Sequence, residues 1–276
     1  MNVHATAANS TIGNHRPLAG RTAVVTGSTS GIGLGIARAL AVAGANLVIN
    51  GFGDPRSIEQ TRLSLEAAGD VAVRFDGSNL AEPAGVAMLI DGAVAAFGQV
   101  DILVNNAGIQ HVAPVESFPI ERWDAIIALN LSAAFHATRA VFAGMKERSF
   151  GRIVNIASAH GLVGSPFKSA YVAAKHGIVG FTKAVALEGA EYGVTVNAIC
   201  PGYVWTPLVE KQIEEQARAH GIARDRVVKE ILLAAQPNKR FATVEEIGAL
   251  AVFLASEAGA SMTGTAIPVD GAWTAH

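Results

Sequence analysis

The stretch Thr22-Ala-Val-Val-Thr26-Gly27-Ser-Thr-Ser30-Gly31-Ile32-Gly33 constrains the fold more than any other. A β-prone apolar run, a glycine-rich turn and the start of an amphipathic segment follow one another, which predicts a strand feeding a helix. Glycines in such a turn let the backbone approach a ligand, and the helix start beyond them offers N–H groups and the positive end of its dipole. A pyrophosphate suits that place. Three glycines alone are weak evidence, because tight strand-to-helix turns favour glycine anyway; their position after the first strand makes a dinucleotide site the expectation.

The same βα alternation continues along the chain and predicts one α/β domain, a Rossmann-type, doubly wound, mostly parallel sheet with helices on both faces. Strands are expected over 22–26, 46–50, 71–75, 101–104, 152–158, 194–199 and 266–269, seven in all. Helices are expected from Gly31 to about Ala43, from Pro55 to Gly69, over 83–97, from Pro119 toward Arg148, at Tyr171, and over 244–255. Residues 206–234, rich in charge and broken at Gly221, interrupt the rhythm and are the candidate for a small helical lid. Residues 1–17 read as a flexible leader, with 18–276 as the catalytic domain.

Half of the 276 residues are apolar, enough for a substantial core, while only 16 % are charged. With 21 basic and 23 acidic side chains and no basic stripe, neither nucleic acid nor an anionic membrane is an expected partner. No uninterrupted apolar run approaches the ~18 residues of a spanning helix. The single cysteine, Cys200, cannot close an internal disulfide, which points to a reducing, cytoplasmic setting. The eight histidines show no ligand-like spacing, so no metal is expected.

At the end of the second strand an acid would bind a ribose 2′-hydroxyl and a cation a 2′-phosphate. The chain has Ile49-Asn50-Gly51-Phe52 instead, with no Arg or Lys in the glycine turn. Absence of a cation favours NAD. Phe52 either flanks the adenine or packs at the surface, and Asp76, followed by Gly77, either accepts from the adenine amine or caps a turn. Asn105-Asn106-Ala107-Gly108 follows the fourth strand, at the carboxyl edge where ligands of such sheets bind.

Tyr171 and Lys175 are spaced i, i+4, which stacks them on one helix face. A phenol with a pKa of about 10 is a poor base, but a fixed ammonium beside it favours the phenolate. Ser158, past the fifth strand, is placed to hold a substrate oxygen. On its own Tyr-x-x-x-Lys is common on helices as a packed aromatic beside a solvated amine; Ser158 and the nucleotide turn give it meaning.

Taken together, Thr26-Gly27 to Gly33, Asn105 to Gly108, Asn130, Ser158, Tyr171 with Lys175, and Pro201-Gly202 resemble the short-chain dehydrogenase/reductase family in order and spacing, from about Leu18 to the C-terminus. The resemblance implies hydride transfer between a carbinol carbon and nicotinamide, with Tyr171 taking the hydroxyl proton, Lys175 lowering its pKa, Ser158 orienting the oxygen and Asn130 holding a relay water. It implies a cofactor lining of Gly27, Thr29, Ser30, Gly31, Ile32, Gly33, Phe52, Asp76, Gly77, Asn105, Ala107, Gly108, Tyr171, Lys175, Pro201, Gly202 and Val204. It also implies a homotetramer.

Within the family, Asn50 to Gly53, Gly108 to His111, Ser158 to Leu162, Lys168 to His176, Thr206 to Gln212 and Asp270 to Trp273 resemble a bacterial branch interconverting D-3-hydroxybutyrate and acetoacetate. By that likeness Gln110, His160, Lys168 and Gln212 clasp the carboxylate of a small hydroxy or keto acid. Tyr203 walls the pocket, and Trp273 helps close it from the same or a neighbouring subunit. Lys168 near a helix start opposes the macrodipole, a placement a bound anion would explain, though it also suits a solvated lysine. Tyr203-Val-Trp205 departs from that branch, where tryptophan comes first. The alternatives are a 3-oxoacyl carrier-protein reductase or another short-chain alcohol dehydrogenase, and, from another class, a non-catalytic NAD sensor.

Overall fold

A computed structural model of the protein describes residues 16–275, so the expected leader lies almost wholly outside the described residues. The strands are β1 (Thr22–Val25), β2 (Asn46–Asn50), β3 (Val73–Asp76), β4 (Ile102–Asn105), β5 (Gly151–Ile156), β6 (Val194–Pro201) and β7 (Ala266–Val269). Among the described residues they form one seven-stranded sheet in the order β3-β2-β1-β4-β5-β6-β7, and every neighbouring pair is parallel. Parallel pairing explains why β1, β4, β5 and β6 are buried along their whole length: both faces are covered, so both side-chain rows are buried.

The helices are α1 (Gly31–Val42), α2 (Pro55–Gly69), α3 (Pro83–Phe97), α4 (Ile120–Ile127), α5 (Ala133–Glu147), α6 (Ser169–Gly189), α7 (Pro207–His220), α8 (Arg224–Arg226) and α9 (Val244–Ala255). Alternate strand residues sort onto two layers. Val25, Val104 and Val154 pack with Ile36, Leu40, Ile247 and Leu254 of α1 and α9. Their neighbours Val24, Leu103 and Ile153 pack with Leu89, Val141, Met145 and Val185 of α3, α5 and α6. Helix starts follow local chemistry: Asp54 accepts from Ser57 N at 2.9 Å ahead of Pro55, and Thr243 with Glu246 makes a capping box on α9.

Several strand boundaries shift by one or two residues from the sequence reading. β3 begins at Val73 because Ala72 N is taken by the Asn46 side chain, and β5 ends at Ile156, leaving Ser158 in the turn beyond. β6 runs on through Cys200 and Pro201, pairing with β7 to its end. Helix Ile120–Glu147 is by length and mean hydropathy (1.4) apolar enough to cross a membrane. In the fold Ala133, Ala137, Val141 and Met145 pack it onto the sheet, and a π-helical turn at Ala128–Ser132 interrupts it. Residues 207–232 gather a cluster of their own, Val209, Ile213, Val227 and Leu232.

A buried polar chain ties the layers beneath the carboxyl edge. Asn105 Nδ2 donates to Asn155 Oδ1 at 2.8 Å, Asn155 Nδ2 to Thr182 Oγ1 at 2.9 Å, and Thr182 Oγ1 to Ile178 O at 2.8 Å. It links β4, β5 and α6. Asn155→Ala leaves the Asn105 amide without its short partner in a dry place, and should lower the unfolding free energy in denaturant titration by about 2 kcal/mol; an unchanged midpoint would mean the chain contributes nothing.

Candidate active site

Strand order reverses between β1 and β4, which opens a crevice at their carboxyl ends. Thr26 Oγ1 accepts from Asn106 N (2.9 Å) and Ala107 N (3.0 Å), and Asn106 Nδ2 donates to the Thr26 and Gly27 carbonyls, each at 2.9 Å. The two loops therefore close on each other with no room for side chains. A Cβ on Gly27 would lie 2.8 Å from Ala107 Cα, and one on Gly33 only 2.3 Å from the Gly27 carbonyl oxygen. Gly27 and Gly31 hold φ of 62° and 56°, where other residues are strained. Ser30 forms no side-chain cap on α1, and no acid stands in the first turn. The loop presents a positive helix end without an internal anion, which fits a dinucleotide pyrophosphate.

The far wall is built from the end of β2. Asn50 is buried and donates to the Asp76 and Ser78 carbonyls, both at 3.1 Å, while the Asp76 carboxylate accepts from Ser78 N at 2.9 Å. Thr29 Oγ1 donates to the Phe52 carbonyl, and the Phe52 ring stands 70 % exposed beside the crevice rather than packed. Gly77 is exposed and lies against the Phe75 ring, and Ile32 tucks against the core. The Asn105 amide nitrogen is committed to Asn155, a structural role, while the residue also lines the cavity beside Lys175. Gly108 faces Asn130, Pro201 and Val204 are buried, and Gly202 N donates to Val269 O at 3.0 Å.

Ser158, extended at the mouth of a 3-10 turn, accepts from His160 N at 3.1 Å through its hydroxyl. Helix α6 brings Tyr171 to Ser158, whose hydrogen bond opposes the effect of burial on the phenol; burial wins and its pKa stands above the ordinary value. Lys175 Nζ lies 5.6 Å from the centre of the Tyr171 ring and donates to the Ile156 carbonyl at 2.7 Å. Burial draws the Lys175 ammonium down to about 8, the Cys200 thiol acting the other way. Asn130 sits in the π turn with both ends of its amide on Ile109, donating to its carbonyl and accepting from its N–H at 2.9 Å. A cavity of about 10 Å³ lies among Thr26, Asn105, Asn130 and Lys175, roughly one water in size.

Beyond Ser158 the pocket is aromatic. The His160 ring meets Tyr171 edge-on at 6.1 Å and Trp273 at 5.0 Å, and Trp273 stacks on Tyr203 at 6.0 Å with 6° between planes. Trp273 thus reaches the pocket of its own chain. Burial, then the charges of Lys168 and His176, push the His160 imidazole down to about 4. Lys168 stands at the N-cap position of α6 without a side-chain cap; burial alone lowers its pKa, and among the described residues it has no ion-pair partner. Phe167, with φ of 65°, accepts from Ala113 N at 2.9 Å and so ties the loop after Gln110 to the one before Lys168. Gln110 is exposed and Gln212 half-buried on α7.

This constellation agrees with what comparison finds. Residues 21–217 match the family model for short chain dehydrogenases. The chain belongs to the short-chain dehydrogenase family. It is 56 % identical to a D-β-hydroxybutyrate dehydrogenase of Rhizobium meliloti over 93 % of this chain and 99 % of that protein. A second protein of that name, from Cupriavidus necator, is 55 % identical over 94 % of this chain and 100 % of its own length. Levodione reductase superposes with a TM-score of 0.86 at 32 % identity, covering 94 % of this chain and 99 % of that one. A candidate 2-deoxy-D-gluconate 3-dehydrogenase from Agrobacterium tumefaciens, 35 % identical with a TM-score of 0.81 over 96 % of this chain and all of that one, carries bound NADP. The family's nicotinamide cofactor suits the glycine cradle described above.

Two buried residues of this dehydrogenase, Gln236 and Asp270, have no role in the sequence reading, although Asp270 opens a segment that carries the resemblance. Both lie against the Gly202-Tyr203 turn over a long sequence separation, and no local pattern marks Gln236. For His160 the linkage has a definite sign. Its folded value of about 4 lies below the ordinary 6.5, so between these pH values the unfolded chain binds the extra proton. Stability is therefore full above pH 6.5 and falls as the pH drops toward 4. In acid-unfolding series His160→Gln should flatten that fall, and NMR should find the imidazole neutral from pH 5.5 to 8; a midpoint near 6.5 contradicts its burial.

Proposed function

We propose that this short-chain dehydrogenase interconverts D-3-hydroxybutyrate and acetoacetate with NAD. The observation that carries the reading is Lys168, a partly buried cation without an ion-pair partner among the described residues, beside a neutral His160 and within one turn of Tyr171. A desolvated, unpaired ammonium is costly unless an anion meets it. Two relatives above 50 % identity named for this substrate support the same choice.

In the proposed oxidation Ser158 donates a hydrogen bond to the substrate hydroxyl oxygen and Tyr171 takes its proton. Lys175, with its Nζ 5.6 Å from the centre of the Tyr171 ring, places an ammonium beside the phenol, and a fixed positive charge there favours the phenolate. Burial opposes this, so the base is matched to a site that carries further positive charge. A bound oxidised nicotinamide supplies that charge and accepts the hydride. Asn130 fixes the loop at Ile109, and the small cavity beside Lys175 holds a water that passes the proton outward. Gln110, His160, Lys168 and Gln212 hold the carboxylate, Gln212 coupling its arrival to closure of the 206–234 segment. Asp76 and Phe52 receive the adenine.

NAD rather than NADP is supported by the amide and phenyl groups at the end of β2, where no cation stands ready for a 2′-phosphate. A homotetramer is supported by an apolar groove of about 640 Å³ between α5 and α6, lined by Phe135, Phe142, Phe181 and Tyr192. The acyl-carrier-protein reductase reading is weaker, because a thioester substrate has no carboxylate for Lys168.

Assays of short hydroxy acids and neutral alcohols with NAD and NADP test the reading, which fails if neutral alcohols or NADP are preferred. Tyr171→Phe should lower kcat by about 10³-fold or more while NADH binding by fluorescence persists; near-normal turnover removes Tyr171 as the base. Lys168→Ala should raise KM for acetoacetate at least tenfold more than for an uncharged ketone; equal losses refute the anion role.

A further inference from the structure

Outside the proposed machinery, the described residues hold one buried polar hub that touches the pocket from behind. Gln236 is 1 % exposed and lies in the turn following the 207–232 segment. Its Oε1 accepts from Tyr203 N at 3.1 Å, and its Nε2 donates to Asn238 Oδ1 and to the Arg240 carbonyl. Asn238 N in turn donates to the Gly271 carbonyl at 3.2 Å. On the other side Asp270, 5 % exposed, accepts from Ala272 N (3.1 Å), Thr274 N (3.0 Å) and Thr274 Oγ1 (2.6 Å), winding the chain into the turn that carries Trp273. Ala272 holds φ of 72° in that turn, a conformation an alanine keeps only when its surroundings impose it.

Gly202 lies between these two residues. A Cβ there would sit 2.6 Å from Gln236 Oε1 and 3.0 Å from Asp270 Cα. Likewise a Cβ on Gly271 would meet the Asn238 side chain at 2.2 Å. The turn bearing Tyr203 is thus tied to the turn bearing Trp273 through Gln236, Asn238 and the Gly271 carbonyl, while Asp270 shapes the second turn from within and packs against Gly202; between them the near-parallel rings stack 6.0 Å apart, with Trp273 against His160.

We propose that Gln236 and Asp270 are positioning residues that set substrate chain length, by fixing the Tyr203–Trp273 stack as a rigid ceiling over the acid site. The inference rests on the reading of the pocket as a hydroxy-acid site. A ceiling made of two stacked rings excludes additional methylenes only if it cannot yield. Discrimination by a hydrophobic wall is worth roughly 10–200-fold per methylene, and the bolt is what lets the wall reach that range.

The test uses Gln236→Met, which keeps the volume and removes the hydrogen bonds, and Thr274→Val, a milder change that loosens Asp270. With 3-hydroxybutyrate and 3-hydroxyhexanoate as substrates, each variant should lose at least about fivefold of the preference for the shorter acid, through KM, with kcat on the shorter acid within about threefold. In a Trp123→Phe, Trp205→Phe background, emission from Trp273 should shift red and become more open to acrylamide quenching. An unchanged chain-length ratio and unchanged quenching, even with a lower Tm, would reduce the pair to structural residues and overturn the proposal; a loss confined to kcat would overturn it too. If Gln236→Met does not fold, Thr274→Val alone decides. Should the unmodified enzyme turn over neither acid, the substrate reading fails while Trp273 quenching still reports whether the bolt holds the ceiling.

Discussion

The structure depends on how closely the loops after β1 and β4 approach each other. Strand order reverses at that pair, so the helices that follow leave on opposite faces and the crevice between them has nothing to fill it except ligand. Thr26 and Asn106 lock the loops edge to edge with four hydrogen bonds, and Gly27 and Gly33 supply backbone where any Cβ would collide. This sets the place of the nucleotide turn relative to β4. Through the buried Asn105–Asn155–Thr182 chain it also sets the place of α6, and with it Tyr171 and Lys175. One contact between two loops therefore fixes the register of both halves of the proposed chemistry.

The site gathers groups that burial makes costly. Lys175 is held in a dry place and drawn down to about 8, and Tyr171 is pushed the other way. Neither would be tolerated for packing alone, since an apolar pair of the same shape would be at least as stable. Lys175 donates to the Ile156 carbonyl, at the very end of β5, so the strand that positions Ser158 also holds the amine in place. The polar groups form one connected structure, and its hydrogen bonds bear on the sheet's carboxyl edge.

Most of the layer plan is legible in the sequence because it is local: apolar runs, glycine or proline at their ends, and caps such as Asp54 and Thr243. The tyrosine–lysine spacing is legible for the same reason. What is not local is not legible. Asn105 and Asn106 look alike in sequence, yet Asn106 clamps the glycine turn while Asn105 turns into the sheet, a difference decided by the pleat. Asn130 reads as an ordinary helical asparagine, but a π turn rotates it onto the loop at Ile109. Trp273, read as coming from the same or a neighbouring subunit, lies over its own chain's pocket because Asp270 curls the last residues back. Gln236 carries no pattern at all; its importance comes from three backbone segments meeting at one amide.

Electrostatic selection in the pocket follows from which charges are silenced. Asp270 is the carboxylate near the aromatic wall, and three donors from its own turn surround it, so its charge is directed inward rather than at a substrate. His160 is held neutral by burial and by Lys168 itself, and it therefore adds no competing cation that would need a second anion. Lys168 lies near enough to His160 to act on its charge and, among the described residues, has no ion-pair partner. A monoanion meets one unscreened cation there, whereas a neutral ketone of equal size leaves that cation desolvated and unpaired. On the proposed reading of Lys168, the cost of that unpaired charge, more than any direct contact with the carbon skeleton, separates a keto acid from a simple ketone in this site.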